Sequence, residues 1–138
     1  MNNTDDILVS NKRVWAGRIL GAVAIAFLVL DAIMKLARVA PAVTGTVELG
    51  YPASVVFGIG MVEILCVIAY AIPRTAIVGA VLLTGYFGGA IATHVRAGSP
   101  LATHVLFPIY FSAFVWGALA LRGRLRGLLT APPARRTA

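Results

Sequence analysis

Four apolar runs, each long enough to cross a bilayer, dominate the pattern of this chain. A spanning helix needs about 20 mostly apolar residues, because each adds about 1.5 Å towards a hydrocarbon core of about 30 Å. The pattern predicts helices over about 14–35, 53–72, 74–97 and 100–121. Helix-breaking residues divide them: Pro41, Gly45 and Gly50-Tyr51-Pro52 after the first run, and Pro73 after the second. At the third junction Gly98 suits a helix C′ position, Ser99 an N-cap and Pro100 the first helical position, which predicts a three-residue hairpin tip. The expected fold is all-α, a polytopic four-transmembrane-helix bundle. Its membrane domain covers 14–121, between an N-terminal tail (1–13) and a basic C-terminal tail (122–138).

Composition agrees. Of 138 residues, 59% are hydrophobic and 12% charged, against roughly a quarter charged in soluble domains. The formal charge of +7 raises the question of nucleic acid. A binder would spread its basic residues over a folded surface, whereas here they flank apolar runs, so nucleic acid is set aside as a partner and the bilayer takes its place. Lys12, Arg13, Arg18, Arg74, Arg122, Arg124, Arg126, Arg135 and Arg136 fall on one face, and Lys35, Arg38 and Arg96 on the other. The positive-inside rule then puts both termini in the cytoplasm. Asp5 and Asp6 precede the first run, and the apolar pattern resumes beyond Asp31, so this run reads as a helix rather than a cleaved leader. Cys66 stands alone, which excludes an internal disulfide and reads as a small buried hydrophobe.

Membrane helices associate through close backbone approach at small residues. In the third run Ala76, Ala80, Thr84, Gly88 and Ala92 recur every four residues, with Gly85 and Gly89 alongside. This predicts a bare ridge against which another helix lies. Gly17-x-x-x-Gly21 and Ala113-x-x-x-Gly117 offer matching faces, either within one bundle or between two copies. Pro108 predicts a kink near one end of the fourth helix.

The candidate chemistry lies in the few polar residues of the spans. Asp31 and Lys35 are four apart, the spacing of a same-face helical pair. Glu63 sits mid-helix with no partner on its own helix; Arg18 is a candidate for it, and a protonated carboxyl is the expectation otherwise. His94 and His104 lie five positions either side of Ser99, so a hairpin tip at 98–100 sets them at nearly equal depth on adjacent helices about 8–10 Å apart. Asp31 falls at a similar level.

Three readings fit this constellation. Both histidines and Asp31 are metal-ligand types, but no His-x-x-x-His or Glu-x-x-His pair on one helix supports them, so no metal site is assigned. A lipophilic carbonyl compound such as a quinone would use a histidine donor between walls of Tyr86, Phe87, Phe107 and Tyr110. In the plainest reading the histidines brace helix ends and Asp31 pairs with Lys35 structurally. No catalytic residue is assigned.

The stretches "WAGRILGAVAIAFLVLDAIMKL" (15–36), "LGYP" (49–52) and "IPRTAIVGAVLLTGYFGGAIATHVRAGSPLATHVLFPIYFSAFVWGALALR" (72–122) together resemble the DoxX-like family of small bacterial four-helix membrane proteins. The likeness runs from residue 15 to about 130 and implies a four-helix membrane bundle. Asp31, Lys35, His94, Arg96 and His104 fall within its motifs and Glu63 outside them. Related DoxX and DoxD proteins are similar to membrane subunits of oxidoreductase complexes, including thiosulfate:quinone oxidoreductase. The resemblance therefore implies an accessory or anchoring protein with oxidoreductase subunits, or further copies of itself, as partners, and a quinone as the candidate small molecule. The alternatives are a small membrane carrier and a self-contained membrane enzyme using His94, His104 and Asp31.

Overall fold

The computed structural model describes residues 3–125, with side chains from residue 11 onward. Its elements are α1 (Asn3–Leu36), α2 (Ala40–Glu48), a 3-10 turn (Ala53–Val55), α3 (Val56–Ala71), α4 (Ala76–Arg96), a π-helical turn (Leu101–Val105) and α5 (Phe107–Leu121). Four stretches are long and apolar enough to span a membrane: Asn11–Leu36, Ala53–Ala71, Ala76–Arg96 and Leu101–Leu121. The expected all-α four-span architecture is therefore present, and α1 begins well before the predicted residue 14. The basic tail expected over 122–138 lies outside the described residues beyond Leu125.

The spans form a ring in which α1 and α4 each pack against both α3 and α5. Leu28, Val67, Leu83, Phe87, Val115 and Leu119 meet inside it. Large apolar side chains also point outward, with Ile19, Leu65 and Val78 each 58% exposed. Helices that are apolar all round, packed only one layer deep, need a lipid solvent for their outer faces.

Small residues set the closest approaches at the end of the bundle that carries the termini. Gly17 faces Ala118 and Leu121, Gly117 faces Leu20, and Gly79 lies against the backbone of Ala69 and Tyr70, where a Cβ would collide. The glycine patterns on α1 and α5 thus work inside one bundle. The ridge predicted on α4 divides instead. Ala76, Gly79 and Ala80 are buried, but Gly85, Gly88 and Gly89 face open space, with no atom within 4 Å of an added Cβ.

Two connections differ from the sequence expectation. The segment between α1 and α3 was expected to be broken by Pro41 and Gly45, yet it folds as α2 with Pro41 in its first turn. Proline is tolerated there because first-turn N–H groups have no intrahelical acceptor to lose. Beyond α4, Gly98 occupies the expected C′ position at φ 66°, and Gly98 N and Ser99 N bond Val95 O and His94 O at 3.1 and 3.0 Å, closing the helix in a Schellman turn. Pro100, not Ser99, is the residue that caps the following turn. That turn is π-helical, with Leu106 N bonded to Leu101 O at 2.9 Å. A fresh helix then starts at Phe107, so Pro108 opens α5 where a kink within one helix was expected.

Candidate functional site

The polar residues gather in a cavity of about 900 Å³ at the end of the bundle away from the termini. α1 and α3 build its charged side. Gly60 lets α3 come so close to α1 that an added Cβ would stand 2.8 Å from Lys35 Cβ. One turn further on, the Lys35 ammonium reaches across and donates to Glu63 Oε2 at 2.8 Å. It also donates to Asp31 Oδ2 on its own helix and to the Tyr86 hydroxyl of α4 at 3.1 Å. Tyr86 in turn donates to Glu63 Oε2 at 2.9 Å. One lysine thereby ties three spans together, and all three of its N–H bonds are used.

Glu63 is fully buried, Asp31 half-buried and Lys35 mostly covered. The partner of Glu63 is Lys35 rather than Arg18, whose guanidinium lies over the Trp15 ring near the other end. A charge this deep persists only when paired and hydrogen-bonded. The second Glu63 oxygen, Oε1, is buried without a hydrogen-bond partner.

Across the cavity the two imidazoles stand side by side, ring centroids 5.5 Å apart. His94 Nδ1 bonds Ser99 Oγ at 3.0 Å and His104 Nδ1 bonds Thr103 Oγ1 at 2.8 Å, so each ring is held through Nδ1. Asp31, Lys35, Glu63, His94 and His104 all line the one cavity. Asp31 nevertheless bonds Lys35 rather than a histidine. Among the described residues no three His, Cys, Asp or Glu side chains are grouped closely enough to hold a metal ion. Cys66 is buried in the core and takes no part.

Of the expected walls, Tyr86, Phe87 and Phe107 line the cavity, but Tyr110 does not. The residue is 48% exposed on the outer face, because α5 starts afresh at Phe107 and its register points Tyr110 outward. Tyr86 also contributes its hydroxyl, to Lys35 and Glu63. The sequence reading missed Phe27 and Phe111, which cluster with Phe107, the three ring centroids lying 4.4 to 5.4 Å from one another. Their spacing from Asp31 and Pro108 was the available signal: Phe27 lies four residues before Asp31, on the same helix face. Gly85 and Gly89 border the cavity too, and the space their missing side chains leave forms part of it.

α2 and the residue that follows it cover part of this end, with Thr46 and Leu49 on the cavity wall. Arg96 donates to Leu49 O at 2.9 Å, Tyr51 and Thr93 share a hydrogen bond of 3.1 Å, and Arg38 reaches Ser54 O at 3.5 Å.

The sequence profile of the DoxX-like family matches residues 19–118. The chain belongs to the DoxX-like family. The matched stretch of this DoxX-like protein contains every cavity residue named above, including Glu63, which lies outside the short motifs that first suggested the family. No curated protein and no solved structure matches the chain.

Proposed function

We propose that this DoxX-like protein is an accessory subunit of the bacterial inner membrane that holds a small lipophilic molecule, such as a quinone, on behalf of a membrane redox complex. The observation that carries this reading is the cavity itself. Its volume of about 900 Å³ falls in the range of about 300–1,000 Å³ typical of small-molecule sites. A bed of three phenyl rings supplies an apolar surface for a flat ring, and charged groups and two imidazoles supply convergent polar contacts. Both termini are cytoplasmic in this reading, because nine of the twelve basic residues fall on the terminal face. The partners are oxidoreductase subunits.

Native mass spectrometry of the protein gently extracted from its own membranes tests the proposal. A reproducible quinone mass, with partner subunits, is the expected result. Replacing both histidines, His94→Ala with His104→Ala, should lower occupancy more than it lowers thermal stability. Unchanged occupancy in the double variant, or a bare protein in every preparation, overturns the reading.

A further inference from the structure

The Glu63 carboxylate is only half satisfied. Oε2 takes hydrogen bonds from Lys35 at 2.8 Å and from Tyr86 at 2.9 Å, while Oε1 is equally shut off from solvent and has no hydrogen-bond partner. A buried acceptor left unpaired costs free energy that a single donor recovers. The neighbouring side chains have none to spare. Lys35 has committed its three N–H bonds to Asp31, Glu63 and Tyr86, and the one Tyr86 proton is on Oε2. Glu63 is among the residues lining the cavity, so a donor seated there reaches Oε1 once the side chains that cover this oxygen give way.

Glu63 and Asp31 share the one Lys35 ammonium. The Lys35 ammonium neutralises the buried carboxylate, and Asp31, with 39% of its side chain exposed, keeps contact with solvent. What Oε1 lacks is a hydrogen rather than a positive charge.

Resting on the reading that the cavity takes a small lipophilic molecule, we propose that its occupant donates a hydroxyl to Glu63 Oε1, so that the site selects a quinol, the reduced dihydroxy form, over the quinone. A quinone carbonyl in the same place would set two acceptors against each other, with no proton between them. The quinol hydroxyl supplies that proton and forms a charge-assisted bond in a poorly solvated site, where such bonds are strong. Sites built to pair one hydroxyl reject analogues that lack it.

The test uses the full chain in lipid nanodiscs and three probes under anaerobic conditions: decylubiquinol, decylubiquinone and the 1,4-dimethyl ether of decylubiquinol. The quinol should bind about 10- to 100-fold more tightly than either of the others, the range expected for one hydrogen bond to a charged group. In Glu63→Gln the amide oxygen can keep Lys35 and Tyr86 while the NH2 group replaces Oε1, and because a quinone carbonyl and a quinol hydroxyl oxygen can both accept from it, the preference for the quinol should be lost. Should that variant fail to fold, the ether comparison on the unaltered protein still decides. Equal binding of quinol and quinone, or an ether that binds as well as the quinol, overturns quinol selection and leaves the small-lipophile reading standing. Binding of none of the three overturns both.

Discussion

Glycine serves close packing at the end of the bundle that carries the termini, and on α4 at the other end it leaves room. At the end carrying the termini, Gly17, Gly79 and Gly117 are filled against by neighbouring helices, and Tyr70 closes the centre, its hydroxyl donating to Val115 O at 3.0 Å and accepting from Arg122 at 3.2 Å. At the other end Gly85 and Gly89 face empty space and border a cavity. Backbone exposed by a missing side chain allows either close contact or room. Which one results depends on what the adjacent helix places opposite, so a small-residue stripe alone predicts neither packing nor a site.

Substitutions can break or sharpen this contrast. The largest effect is expected at the cavity end, from Lys35→Met, which strips Glu63 and Asp31 of their shared cation. Removing one partner of a buried ion pair costs about 3–5 kcal/mol, and a loss below about 1 kcal/mol in detergent unfolding would mean that the cluster does not hold the spans together. Next comes a matched pair. Gly79→Ala drives a methyl into the α3 backbone and should destabilise by about 1–3 kcal/mol. Gly89→Ala meets nothing and should stabilise by about 0.5–1 kcal/mol through helix propensity. Similar unfolding midpoints for the two would erase the distinction between the ends. Tyr70→Phe leaves Val115 O without its side-chain donor and should cost about 1–2 kcal/mol with the cavity intact, readable as lowered stability at unchanged ligand affinity.

The smallest effect is expected at Arg38, the one residue other than glycine with positive φ, 52°, among those described. It ends α1 in the position that glycine takes after α4, and left-handed backbone is unfavourable for a residue with a Cβ. Arg38→Gly should raise stability by about 0.5 kcal/mol, the relief of strain being partly offset by the freer unfolded chain. A lowered melting temperature would show that the reach of Arg38 to Ser54 O outweighs its strain.

The spans were legible because apolar length and proline or glycine punctuation report directly on backbone needs. α2 was not, since a proline breaks a helix interior but suits a first turn, and nothing local in "APAVTGTVE" says which of the two Pro41 occupies. The Asp31–Lys35 pair followed from helical spacing. Its extension to Glu63 did not, because the sequence does not state where α1 crosses α3. Gly60, one turn before Glu63, marked that crossing in hindsight: a residue without a side chain is where a long neighbour can pass. Tyr86 read as an aromatic wall, and only the position of Lys35 reveals it as a donor to Glu63.

The arginines fasten the fold in a different currency from the lysine. Arg96 bonds Leu49 O, Arg38 bonds Ser54 O, Arg122 bonds Ala118 O and Arg124 bonds Pro73 O, while both described ion pairs belong to Lys35. A main-chain carbonyl is present whatever residue carries it. Across relatives, positions 49, 54, 73 and 118 are therefore free to drift without regard to the arginines that hold them, whereas 31, 35 and 63 should change together or not at all.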